Sequence, residues 1–142
     1  MSQGQNKILL SCSTLMSYLK TLHAETLSEL YNHPATCLAV FRELPDLAKQ
    51  FVMRLFYVEQ AVPQAVVQSW VNQSNYGDKF REASKGLTEL GIWQNTSMPG
   101  GLPAWILDKT FRTNLTIVLV GGCVILLFKK LDFSLRISIF QW

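Results

Sequence analysis

The stretch DKFREASKGLTELGIWQNTSMPGGLPAWIL, residues 78–107, contains the change of period on which the fold turns. Asp78 suits a helix start, and Phe80, Ala83, Leu87 and Leu90 recur at the three- and four-residue spacing of one buried helix face. Lys79, Arg81, Glu82, Lys85 and Glu89 fall on the outer face. Gly91 ends the helix, because glycine takes the left-handed conformation at little cost. Beyond it Ile92 and Trp93 begin an extended run, Ser97-Met98-Pro99-Gly100-Gly101 supplies a turn, and Trp105, Ile106 and Leu107 return, which reads as a β-hairpin.

Upstream, Asn72 to Gly77 is polar and turn-rich. Before it Pro63 suits a helix start, with Val66, Val67, Trp70 and Val71 at helical spacing, and Glu59 to Val62 reads as a short link. Pro45 and Asp46 open a stronger helix, whose buried face is Leu47, Phe51, Leu55 and Val58, flanked by Ala48, Val52 and Phe56. Three helices with short links followed by a hairpin are the order of a winged helix-turn-helix. Downstream, Asp108 caps a further helix carrying Phe111, Leu115, Val118 and Leu119.

Toward the N-terminus, Leu15, Met16, Leu19 and Leu22, then Leu27, Leu30 and Tyr31, form a short helical pair broken near His23. Pro34 begins another helix with Cys37, Leu38, Val40, Phe41 and Leu44 on its apolar side, ended by Pro45. The expected fold is mostly α with a small β-hairpin: a winged helix-turn-helix-like domain preceded by short helices. Residues 1–44 form the N-terminal helical segment, 45–120 the winged-helix-like domain with its C-terminal helix, and 121–142 a hydrophobic tail.

At 142 residues the chain has the size of one domain able to bury its own core. Hydrophobic residues make up 49% and charged residues 16%, which excludes a disordered chain and points to apolar surface meeting a partner or a membrane. Leu115 to Phe128 is the most apolar stretch, but as a helix it reaches only about 21 Å against a hydrocarbon core of roughly 30 Å. A membrane-tethered protein using 115–128 as a short anchor is the alternative to a binding module, and a true span is not favoured. Phe133, Leu135, Ile137 and Ile139 alternate with Ser134, Arg136 and Ser138, a strand pattern that needs a neighbour. Cys12, Cys37 and Cys123 are odd in number and widely spaced, so they read as reduced intracellular thiols. Ile8-Leu9-Leu10 is too brief for a secretory signal, so the glycosylation patterns at Asn72, Asn95 and Asn114 carry no weight.

Nothing in the pattern calls for catalysis, a cofactor or a metal. His23 and His33 have no carboxylate or cysteine at zinc-ligand spacing, and no nucleophile elbow or phosphate loop is present. Glu43, Asp46 and Glu59 sit at helix ends, where dipole compensation explains them. A winged helix invites a DNA-binding reading, yet the net charge is only +3, Asp78, Glu82 and Glu89 offset Lys79, Arg81 and Lys85, and the wing tip is uncharged. A protein partner suits such a surface better. The polar docking candidates are Arg42, Glu43 and Arg54; the apolar ones are Trp93, Met98, Leu102 and Trp105. The same aromatics and Leu102 would equally complete a core, and Arg42 and Glu43 would equally be solvated helix charges.

Residues 31–45, YNHPATCLAVFRELP, resemble a signature near the N-terminus of the general transcription factor IIH subunit 4 family, the 52 kDa core subunit. Val52-Met53-Arg54-Leu55, Glu59-Gln60, Pro63-Gln64-Ala65, Trp70-Val71, Gly91-Ile92-Trp93, Pro99-Gly100-Gly101-Leu102, Phe111-Arg112 and Asn114-Leu115 follow the same family in order. The resemblance covers about Leu15 to Gly122, and no counterpart of residues 123–142 is evident. It implies a non-enzymatic scaffold subunit of a nuclear assembly that opens DNA for RNA polymerase II initiation and nucleotide excision repair. It implies as partners the other core subunits, the von Willebrand-type subunit and the XPB ATPase among them. The family's XPB-anchoring region lies toward its C-terminus, so a truncated form keeping core docking without that anchor is expected.

Overall fold

The structure is a computed structural model and describes residues 14–119. Its elements run α1 Leu15–Leu19, α2 Ala24–Leu30, α3 Pro34–Glu43, α4 Asp46–Leu55, β1 Val62–Pro63, α5 Gln64–Ser69, α6 Gln73–Glu89, β2 Trp93–Met98, β3 Leu102–Leu107 and α7 Lys109–Val118. The fold is mostly helical with a small antiparallel sheet. Local chemistry accounts for most boundaries. Thr14 and Ser17 form a reciprocal capping box at α1, Pro34 occupies the first turn of α3, and Asp46 lies in the first turn of α4. The Asp108 carboxylate accepts from the Phe111 N–H at 2.9 Å and caps α7, as its position suggests.

At the end of α6, Gly91 takes φ +65°. Its N–H donates to the Thr88 carbonyl while the Ile92 N–H donates to that of Leu87, the Schellman arrangement that closes a helix. The expected hairpin follows directly. The Gly101 N–H donates to the Met98 carbonyl at 3.0 Å, with Gly100 and Gly101 both at positive φ.

Val58, expected on the buried face of α4, lies beyond the end of that helix and is exposed, and two segments also differ from the sequence reading. Val62–Pro63, read as a link and a helix start, is a short strand pairing with β3, which makes a three-stranded sheet of order β1-β3-β2. A strand this short shows no alternation, so only its pairing reveals it. Residues 72–77, read as a turn, mostly belong to α6: the Asn72 side chain caps it by accepting from the Ser74 N–H, and non-helical dihedrals at Tyr76 (φ −126°, ψ 15°) kink it. Gln73, Ser74 and Asn75 are polar because that turn is exposed, not because it is irregular.

The sheet register follows from its prolines. Pro103 lies opposite Ser97 and Pro63 opposite Ala104. Proline has no N–H, and antiparallel ladders bond at alternate pairs, so both prolines fit where no bond to that neighbour is made. The 2.8 Å bond from the Asp108 N–H to the Ile92 carbonyl sets the same parity, placing the β2 to β3 bonds at Gln94, Thr96 and Met98.

One core cluster runs from Leu19 to Leu119, crossing positions 44 and 45 without a break. Helix α3 packs on α7, and Tyr31 joins the two ends of the described chain. Its ring meets Phe111 edge-on at 5.1 Å, its hydroxyl donates to the Leu90 carbonyl at 2.5 Å, and its own carbonyl accepts from Asn114 Nδ2 at 2.8 Å. The Cys37 thiol donates to the same carbonyl at 3.2 Å.

Burial, reinforced by the charge of Asp108, pushes the Cys37 thiol from its ordinary 9.0 up to about 11. Burial raises the Tyr31 phenol in the same direction, reinforced by Cys37 and then Asp108. A folded-state pKa above the unfolded value means that the unfolded chain loses its proton first, so stability falls as pH rises. Unfolding free energy is therefore expected to be level below pH 9 and to decline toward pH 11. Cys37→Ala should flatten part of that slope in urea titrations run at successive pH values; an unchanged slope would contradict this account.

The sequence stretches beyond residue 119, including most of Leu115 to Phe128, the alternating residues 133–139 and Cys123, lie outside the described residues, as do Cys12 and the rest of 1–13. Among the described residues no helix is long and apolar enough to cross a membrane.

Candidate protein-docking surface

The structure separates the seven candidate residues into a core pair and a surface set. Trp93 is 1% exposed and Trp105 7% exposed. Their rings stack at 4.3 Å and 9°, Phe51 lies parallel to Trp93 at 5.9 Å, and Phe80 meets Phe51 edge-on at 5.6 Å. Each indole N–H is satisfied internally, Trp93 Nε1 donating to Thr88 Oγ1 at 2.8 Å and Trp105 Nε1 to Asn95 Oδ1 at 2.7 Å. These two aromatics therefore complete the core, and the apolar docking candidates reduce to Met98 and Leu102.

Met98 and Leu102 are register partners at the hairpin tip, where β2 and β3 meet. Met98 is half-buried and Leu102 is 46% exposed, beside the exposed Pro99, Gly100, Gly101 and Pro103. No charged residue lies between Trp93 and Leu107. The tip is thus an uncharged, partly apolar projection held by a tight turn, a surface that binds protein better than phosphate.

Arg42 and Glu43 are exposed in the last turn of α3. Glu43 borders a shallow groove of about 210 Å³ with Met16, Ala48, Gly86 and Leu87, between α1, α4 and α6. Arg54 is half-buried at the end of α4, and its guanidinium lies over the Trp70 ring at 5.2 Å, a cation–π contact that uses the side chain internally. Exposed apolar positions that the sequence reading did not single out are Tyr57, 85% exposed, and Ile117, 58% exposed. Tyr57 follows the last turn of α4, where helical period ends and sequence no longer marks a side.

The outer face of α6 offers little to a nucleic acid. Arg81 pairs with Asp78, and Lys85 and Lys20 both approach Glu89, at 3.8 and 3.7 Å. Phosphate neutralisation needs cations not already balanced by neighbouring carboxylates. Among the described residues no group of three or more His, Cys, Asp or Glu is placed to hold a metal ion.

These features define a mostly helical module closed by a small antiparallel sheet with an uncharged apolar tip. The chain belongs to the family described as transcription factor Tfb2, whose model matches residues 17–135. That match continues past Gly122, where the motif resemblance had stopped, so part of the tail follows the family after all. The chain is 36% identical over 77% of its length to the general transcription and DNA repair factor IIH subunit TFB2 of Saccharomyces cerevisiae, covering 21% of that protein. The subunit of the same name from Arabidopsis thaliana is 29% identical over 84% of this chain and 26% of its own length. General transcription factor IIH subunit 4 of Dictyostelium discoideum is 31% identical over 58% of this chain and 17% of its own. The chain thus spans about a fifth of the length of these relatives.

Proposed function

We propose that the chain is a non-catalytic scaffold element of the nuclear transcription and DNA repair factor IIH core, acting in RNA polymerase II initiation and nucleotide excision repair. We read the element order α4, β1, α5, α6, β2, β3 as a winged helix-turn-helix whose wing binds protein instead of DNA. The observation that carries this reading is the hairpin tip: Met98 and Leu102 expose apolar surface on a family member whose relatives are named as subunits of an assembly. Arg42 and Glu43, exposed at the end of α3, would supply separate polar contacts.

Docking falls to another core subunit, with the von Willebrand-type subunit the first to test. We assign anchoring of the XPB ATPase to a part of the family outside the stretch matched by residues 17–135. Co-purification of the tagged chain with individually expressed core subunits tests both statements. Capture of one core subunit, without retention of XPB, is the expected result. Changing Met98 and Leu102 together to aspartate should reduce that capture at least tenfold while lowering the thermal midpoint only modestly, since Leu102 is exposed and Met98 is half-buried at the turn. Capture unaffected by the double change would remove the wing from the interface.

A further inference from the structure

The geometry points to the groove between α1, α4 and α6 as a second docking surface, one that takes a helix of another polypeptide whose apolar anchor is flanked by lysine or arginine. The groove stands apart from the hairpin tip: of the residues considered for docking above, only Glu43 borders it.

Its floor is apolar. Ala48 of α4 and Ala83, Leu87 and Leu90 of α6 form it, all buried, with the half-buried Met16 of α1 beside them. The space of about 210 Å³ exceeds the roughly 150 Å³ of an apolar cavity that accepts a benzene ring, so one leucine- or phenylalanine-sized side chain fits.

Gly86 points the same way. It lines the groove near the end of α6 with ordinary helical dihedrals, where alanine would favour the helix more. A Cβ placed there would meet no described atom within 4 Å, so the packing of α6 does not call for glycine. What the glycine does is leave the backbone of α6 bare along the groove, which lets an incoming element approach closely.

The rim sets the charge of the occupant. Its charged residues are Lys20, Glu43 and Glu82. Lys20 is turned to Glu89 at 3.7 Å, whereas Glu43 and Glu82 are exposed and belong to none of the ion pairs among the described residues. Two unpaired carboxylates beside an apolar floor favour a basic neighbour to the anchor and disfavour an acidic one.

The walls set its conformation. All three are helices, whose backbone groups are bonded internally. Where Leu44 and Pro45 complete the lining, the Leu44 N–H already donates to the Phe41 carbonyl and Pro45 has no N–H. The groove therefore offers no ladder to an extended strand. A helix brings its own backbone bonds and carries flanking residues three or four positions from its anchor on the same face.

The experiment is selection of a displayed library of helical peptides against the full chain. The peptides are randomised at a central position and at the positions one turn before and after it, and binding is mapped by amide chemical shifts. The expected winners carry leucine, phenylalanine or methionine at the centre and lysine or arginine at a flank, and they shift the amides of Met16, Ala48, Ala83 and Gly86. Glu43→Lys combined with Glu82→Lys, both at exposed positions, should weaken the selected peptide at least tenfold. Gly86→Ala should weaken it by a similar factor while raising the thermal midpoint by a few degrees, so that loss of the fold is not the cause. Acidic or uncharged flanks among the winners, shifts confined to residues away from the groove, or no winner at all would overturn the proposal. So would undiminished binding to the Gly86→Ala chain, or self-association of the unchanged chain that both variants abolish, which would make a second copy the occupant.

Discussion

Trp93→Ala is expected to destabilise the protein by about 3–5 kcal/mol, the usual cost of truncating a large buried aromatic. The residue is 1% exposed, stacks against both Trp105 and Phe51, and donates its indole N–H to Thr88 Oγ1. Alanine would leave a cavity between the sheet and α4 that neighbouring rings cannot close without abandoning their own packing. The loss combines removed apolar burial, removed ring contact and the lost indole hydrogen bond to Thr88. Urea unfolding followed by circular dichroism measures it directly. Leu102→Ala is the control: that side chain is 46% exposed, so its truncation should move the midpoint by only about 0.5 kcal/mol or less. Equal effects at the two positions would mean that the division into core pair and surface tip is wrong.

That division marks the limit of what residue order discloses. The hairpin was legible because helical spacing ends at Leu90, Gly91 supplies the stop, and Pro99-Gly100-Gly101 demands a turn; Asp108 was legible as a cap for the same local reasons. The kinked start of α6 was not, because Gln73, Ser74 and Asn75 are polar both in an exposed helix turn and in a loop. Strand β1 was not, because pairing defines it and no period does. Trp93, Met98, Leu102 and Trp105 looked alike as apolar residues on one hairpin. Which of them faces Phe51 and Phe80 depends on α4 and α6 folding back across the sheet, a tertiary fact. Arg54 shows the converse. Its charge suggested a contact with a partner, while the ring of Trp70, fixed by the separate helix α5, takes its guanidinium.

Phe111→Ala is expected to cost a similar 3–5 kcal/mol or so, and its consequence should extend beyond α7. Phe111 is fully buried and meets the Tyr31 ring edge-on, in the contact that joins the N-terminal helices to the chain's other described end. Around it, Asn114 donates to the Tyr31 carbonyl and the Tyr31 hydroxyl donates to Leu90 at the end of α6, so three elements meet at one tyrosine. A core that is continuous through this point should unfold as one unit. In a background with Trp70 and Trp142 changed to phenylalanine, tryptophan fluorescence, which then reports the Trp93 and Trp105 stack, and amide exchange at Leu27 and Val40, which reports the N-terminal helices, should therefore shift together in the variant. If the helices lose protection while the tryptophans keep their native environment, residues up to 44 and those from 45 onward are separate cooperative units. The Tyr31 network would then be a docking contact between two units instead of the centre of one. Tyr31→Phe, which deletes only the hydroxyl bond to Leu90, should reproduce the same joint shift at about 1–3 kcal/mol.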